Sequence, residues 1–382
     1  MRKRYLLTPG PTPVPEQALL AMAQPIIHHR TPEFEAILAR IWENLKVLFQ
    51  TKQDVLFFAS SGTGAMEASV VNILSPGDKA ICIRGGKFGE RWTNIVKAYG
   101  GVPVNIDVEW GTAVDPKIIE KALADDPSIR AVYVQASETS TAVRHDIKAL
   151  AAITAKCPNT VLVVDAITAL GVFPMPMDEW GLDVVVTGAQ KALMLPPGLS
   201  FIALSEKAWG HAAQAKMPRF YFDIAREKKN RDKGTTAWTP AVSLLVGLDA
   251  VLAMVMEEGI DHLFRRHAIM AKATREGFRA MGLGIYGETS PSEALTAAIM
   301  PEGVDGKKLI KHLVAKYGVT VAGGQEQLAG KIIRVAHLGY FDRLDVITAL
   351  TSVEMALADL GWAGVKRGAA SAAATPILAE LD

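Results

Sequence analysis

The sequence predicts an α/β protein, with a large domain on a mostly parallel seven-stranded sheet and a smaller C-terminal α+β domain. Three observations predict this. Between about Gln53 and Leu204, seven short runs rich in Val, Ile and Phe alternate with longer helical stretches, as do strands buried on both faces of a parallel sheet. From about Ala268 to Trp362 helices and strands alternate again on a smaller scale. The length, 382 residues, exceeds what one compact core usually organises.

In chain order, the opening MRKRYLLTPGPTPVP is basic but passes quickly into prolines, so it lacks the apolar region of a secretory signal. Residues 1–22 form an N-terminal segment, and a large domain is expected over 23–258. Within it, residues 35–49, 65–74 and 147–155 carry apolar residues at helical spacing. The strand runs are VLFFAS, KAICIR, VPVNID, AVYVQA, TVLVVDA, DVVVTGA and LSFIAL. Residues 205–239 turn polar and basic and read as a long excursion with little core of its own. After Pro240 a helical pattern through Leu244, Leu248, Leu252 and Val255 runs toward Phe264 and bridges to a second domain over 259–362. The Ala-rich, non-periodic residues 363–382 are expected to be a mobile tail.

Basic and acidic residues nearly cancel, 41 against 40, so no net field favours phosphate backbones or anionic membranes. Nucleic acid and membrane are therefore not expected partners, and a cytoplasmic location is the default. Cys82 and Cys157 have neither ligand spacing nor a disulfide framework. The adjacent residues of His28–His29–Arg30 do not suit a single ion, so no metal is assigned and an interface or structural role is expected.

Ligands of such sheets bind beyond the strand carboxyl ends, and three features are delivered there. Ser60-Ser61-Gly62-Thr63-Gly64-Ala65 follows VLFFA and opens a helix, where backbone N–H groups beside the positive helix end can bind a phosphate. It has neither the Lys-Ser/Thr pair of a nucleotide-binding loop nor the dinucleotide fingerprint. Asp165 ends TVLVVDA, and a buried carboxylate there wants a cationic partner. Lys191 follows DVVVT in Gly188-Ala189-Gln190-Lys191. Each feature alone has an ordinary structural explanation as a turn, a helix cap or a surface lysine. Together they match what pyridoxal 5′-phosphate requires: a lysine for its aldehyde, an acid that keeps the ring nitrogen protonated, and a phosphate cup.

At this point the chain resembles the class V aminotransferases, most closely the alanine-glyoxylate and serine-glyoxylate (serine-pyruvate) branch. The resemblance runs from TPGPTPVP to about Trp362, through SGTGAMEA, SETSTAVRHD, VDAITALG, GAQKALMLPPGLSF and IIRVAHLG in the family's order. It implies an aspartate-aminotransferase-like (fold type I) architecture and a homodimer with shared sites. Cysteine desulfurases share the early motifs but use a cysteine on a mobile loop, where neither Cys82 nor Cys157 stands.

By resemblance, Lys191 is the catalytic lysine that forms the Schiff base (internal aldimine), and Asp165 pairs with the pyridine nitrogen. Thr139 bonds the ring hydroxyl; Ser61, Gly62, Thr63 and Gln190 hold the phosphate; and Thr236 and Thr239 reach it from the partner subunit. Many relatives have His where Thr63 stands or Tyr where Thr236 stands. Phe88 occupies the place of the stacking aromatic, commonly Trp in relatives. Arg334 grips the substrate carboxylate, while Pro9 and Gly10 run over a small substrate pocket. The implied reaction transfers an amino group from alanine or serine to glyoxylate or pyruvate. A lyase or decarboxylase on the same scaffold stays open, because the cofactor cup does not fix which Cα bond breaks. So does a largely non-catalytic role, since some relatives are described as a subunit of a soluble hydrogenase.

Overall fold

A computed structural model describes residues 3–381. All seven expected runs form one sheet, ordered Val55–Phe58, Ser200–Leu204, Val184–Gly188, Val161–Asp165, Ile129–Gln135, Lys79–Arg84, Val102–Asp107. Ser200–Leu204 is antiparallel to both neighbours, and the other pairs are parallel. The period-2 alternation of strand side chains explains why the inner runs are largely apolar, while the edge strand Val102–Asp107 has no buried residue. Leu162 and Val164 enter one core cluster, whereas Val161 and Val163 enter the other. Phe57 and Phe58 divide in the same way, and so do Ile81 and Cys82.

The second unit holds an antiparallel four-stranded sheet ordered Ile285–Tyr286, Leu295–Ile299, Ile332–Ala336, Ala322–Gly323. The N-terminal segment is tied to this unit, because Tyr5–Leu6 pairs in parallel with Val319–Thr320 and Ala336 N–H donates to the Leu7 carbonyl at 3.0 Å. Among the described residues no helix is long and apolar enough to cross a membrane.

Four local expectations change. The helix expected over 35–49 begins earlier, at Pro32, because Thr31 accepts the Phe34 N–H and proline suits the first turn. The bridging helix is two helices, Val242–Glu258 and Ile260–Met281, broken where Gly259 takes φ +80°. The 205–239 excursion is not without a core: it forms helices Glu206–Ala212 and Ile224–Arg231 and buries Met217, Ile224 and Glu227. Residues 363–382, expected as a mobile tail, contain helix Ala369–Leu378, which buries Ala370, Ala374 and Leu378. Its small residues allow it to lie close against the Ile260–Met281 helix.

Candidate active site

Asp165 ends its strand in register between Gln135 and Val186 of the neighbouring strands. The next strand, Val184–Gly188, leads directly to Lys191, so parallel register brings both groups to one sheet edge. Asp165 is buried, and its Oδ1 accepts the Ile167 N–H at 2.8 Å. Burial pushes this carboxyl up to about 7, opposed by that hydrogen bond. Burial likewise lowers the Lys191 ammonium to about 8, while the Asp165 charge pulls it back up.

The N-terminal turn covers the lysine. Lys191 Nζ donates to the Pro9 carbonyl oxygen, and Thr12 Oγ1 donates to the Lys191 carbonyl at 2.9 Å. Gly10 has φ +134°, and a side chain there would collide with Lys191 Nζ. Only glycine meets both demands.

Ser61 is the N-cap residue of helix Gly62–Ile73, but its side chain makes no capping bond. Gly64 N–H donates to the Ser61 carbonyl at 2.8 Å, whereas the Gly62 and Thr63 N–H groups remain for a ligand. Gln190 lies beside them with a buried Oε1 that has no partner. Thr63 Oγ1 instead accepts from Arg91 Nη1 at 3.0 Å.

One short segment, residues 137–141, joins the remaining parts. Thr139 Oγ1 meets Thr168 Oγ1 at 2.8 Å, and the Thr139 carbonyl accepts from Arg334 Nη1 at 2.7 Å. Arg334 Nε donates to the Gly323 carbonyl at 2.9 Å, so the arginine spans the two units. Desolvation lowers its guanidinium to about 10. Glu138, fully buried, and Ser140 cap the helix Lys87–Ala98 from a distance. Ser140 Oγ accepts Lys87 N–H at 3.0 Å, and the Glu138 carboxylate accepts Phe88 N–H at 3.4 Å and Gly89 N–H at 2.9 Å. That cap sets the helix carrying Phe88.

Lys191 thus meets the Pro9–Gly10 turn and Arg334 meets Thr139, while Lys191 feels the charges of both Asp165 and Arg334; Phe88 and Thr63 are joined through Arg91. Thr236 and Thr239 sit apart in this chain, in a recess with Phe57, Ala59, Tyr221 and Glu227. Thr236 Oγ1 donates to the Trp238 carbonyl at 2.6 Å. A larger cavity of about 900 Å³ lies between the N-terminal segment and the Val242–Glu258 helix and is not the site of these groups. Glu138, Ser140, Thr168 and Arg91 were not singled out from the sequence. A signal existed for Glu138, a lone acid two residues past the apolar AVYVQA run.

Residues 4–342 match the family model described as aminotransferase class-V. The chain belongs to the class V aminotransferases. This aminotransferase is 41% identical over 378 residues to the soluble hydrogenase 42 kDa subunit of Anabaena cylindrica, covering 98% of each chain. It is 36% identical over 389 residues to the serine–glyoxylate aminotransferase of Methylorubrum extorquens, covering 99% of this chain and 96% of that one. Among solved structures, the ureidoglycine-glyoxylate aminotransferase of Bacillus subtilis superposes with a TM-score of 0.94 at 29% identity, covering 99% and 98% of the two chains.

Proposed function

We propose that this aminotransferase uses pyridoxal phosphate to move the amino group of a small amino acid, alanine or serine, to glyoxylate or pyruvate. The observation that carries the reading is the delivery of Lys191 and Asp165 to one sheet edge beneath the Pro9–Gly10 turn. The residues present fit the cofactor. An uncapped helix start beside the Gln190 amide, whose N–H₂ can donate, suits a phosphate group, and a buried carboxyl raised to about 7 suits a protonated ring nitrogen.

When bound, pyridoxal phosphate supplies an electron sink for the Cα carbanion of the amino acid. Lys191 would hold the cofactor covalently and, when free, would be the base that moves a proton at the substrate Cα. Burial favours that role by keeping the lysine easier to deprotonate than an ordinary one. Asp165 holds the proton on the ring nitrogen. Ser61, Gly62, Thr63 and Gln190 bind the phosphate, with Thr236 and Thr239 of the partner subunit. Thr139 orients the ring hydroxyl, and Phe88 covers one ring face with an apolar surface. Arg334 orients the substrate carboxylate, because its contacts to Thr139 and Gly323 use Nε and Nη1 and leave Nη2 for a ligand. The Pro9–Gly10 backbone limits substrate size.

The test is a panel of amino donors against glyoxylate, pyruvate and 2-oxoglutarate, scored by the keto acid and amino acid formed. Wild-type protein should be yellow and carry a borohydride-fixable link to Lys191, and Lys191→Ala should lose both the link and nearly all turnover. Native turnover in that variant overturns the reading. Release of ammonia or carbon dioxide without a new amino acid would instead mark a lyase or decarboxylase. The Anabaena relative supports a second reading, an additional role as a hydrogenase-associated subunit. Retention of Lys191 and Asp165 weighs against that as the whole function.

A further inference from the structure

The proposed phosphate cup, Ser61, Gly62, Thr63 and Gln190, is made of neutral groups, whereas its ligand is a phosphate dianion. A helix start contributes only about half a charge, and an anion taken partly out of water needs more compensation than neutral donors supply. A cation stands next to the cup. Arg91 lies one turn beyond Phe88 on the helix Lys87–Ala98, and its Nη1 donates to Thr63 Oγ1 at 3.0 Å. Its guanidinium lies over the Phe88 ring, 4.9 Å from the centroid, which holds it by cation–π attraction. Its charge is felt by both Asp165 and Lys191, so it belongs to the same pocket. Among the described residues it makes no ion pair with a carboxylate.

The direction of the hydrogen bond matters. Arg91 donates and Thr63 Oγ1 accepts, so the threonine hydroxyl proton is left for another acceptor. A phosphate oxygen is such an acceptor, and a hydroxyl polarised by a guanidinium donates more strongly. We propose that Arg91 is the cationic member of the cofactor-phosphate site, acting through the Thr63 hydroxyl, and is a phosphate-binding residue that the motifs did not assign. The inference rests on the pyridoxal phosphate reading. It also gives Thr63, where many relatives carry histidine, a physical part in a neutral cup.

The experiment compares two ligands, pyridoxal 5′-phosphate and pyridoxal, which differ only in the phosphate. Dissociation constants are measured on cofactor-free dimeric protein for wild type, Arg91→Gln, Arg91→Lys and Thr63→Ala. Arg91→Gln should weaken pyridoxal phosphate roughly 10- to 100-fold, the worth of a charge-assisted hydrogen bond. Pyridoxal affinity should stay within about twofold, because it lacks the phosphate to which the Thr63 hydroxyl would donate. Arg91→Lys keeps the charge and should retain most of the affinity, which guards against a folding artefact, and Thr63→Ala should show a loss of the same kind. Inorganic phosphate should compete with the cofactor on wild type and fail to do so on Arg91→Gln.

Equal losses for both ligands in Arg91→Gln, with Arg91→Lys no better, would overturn the proposal and make Arg91 a support for the Phe88 shelf. Unchanged affinity for pyridoxal phosphate in Arg91→Gln would also overturn it. Wild-type protein that binds neither ligand would sink the cofactor reading itself, a result distinct from either.

Discussion

Glu138 caps a helix that starts far from it in sequence: its Oε2 accepts the Gly89 N–H at 2.9 Å across a separation of 49 residues. Its Oε1 also accepts from Ser140 Oγ at 2.6 Å and from the N–H groups of Ser140 and Phe88. Burial pushes this carboxyl up while those four donors pull it down. Every neighbour donates, so only an acceptor on both oxygens satisfies the site.

Glu138→Gln should therefore destabilise the protein by about 1–3 kcal/mol, because the new amide N–H₂ would face an existing donor. Ser140→Ala, which removes one cap, should cost roughly 1 kcal/mol. Urea unfolding of the cofactor-free variants measures both. Wild-type stability in Glu138→Gln would show that the cap is not what holds the Phe88 helix.

Asp165→Ala should retain some cofactor yet lose several powers of ten in turnover, since nothing would then keep the ring nitrogen protonated. Single-turnover rates at saturating cofactor separate this from weakened binding. A variant as fast as wild type would remove the electron-sink argument.

Arg334 is the one cation assigned to a substrate carboxylate, so small neutral amino acids should outrun glutamate and aspartate. A second carboxylate would lose water without compensation, which amounts to discrimination of about a hundredfold or more. Arg334→Ala should weaken every α-amino acid by roughly 2–5 kcal/mol and leave the bound cofactor's absorption spectrum unchanged. Steady-state kinetics across a donor panel reads both effects. Glutamate with 2-oxoglutarate as the best pair would mean that another cation enters the pocket.

Glu227 gives a pH signature. Its Oε2 accepts the Ala237 N–H at 3.1 Å, and burial raises its carboxyl from 4.5 to about 7. With the folded value above the unfolded one, the folded protein binds more protons between those pH values. Its contribution to stability is thus most favourable below about pH 4.5 and falls by up to about 3 kcal/mol as pH rises through 7. Glu227→Gln should flatten that part of the curve. Unfolding curves of the two proteins from pH 4.5 to 8 that run parallel would refute the assignment.

The sequence by itself determined the large sheet, because strands buried on both faces must be apolar at every position and so stand out against the helical stretches between them. It also determined that Asp165 and Lys191 reach the same sheet edge, since Asp165 ends one such run and Lys191 lies just past another. Tertiary structure decided what meets them there. The Pro9 carbonyl over Lys191 lies 182 residues away in sequence, and the Thr139 carbonyl at Arg334 lies 195 away. No local pattern encodes such a pairing. The Glu138 cap was hidden for the same reason: a helix start without its own capping side chain looks poorly made until a distant carboxylate is folded against it. The Ala-rich, non-periodic tail is expected from sequence to be mobile, yet Ala370 and Ala374 are fully buried. Small side chains gain little from leaving water alone, but they let two helices approach closely, and that benefit exists only once the Ile260–Met281 helix is in place.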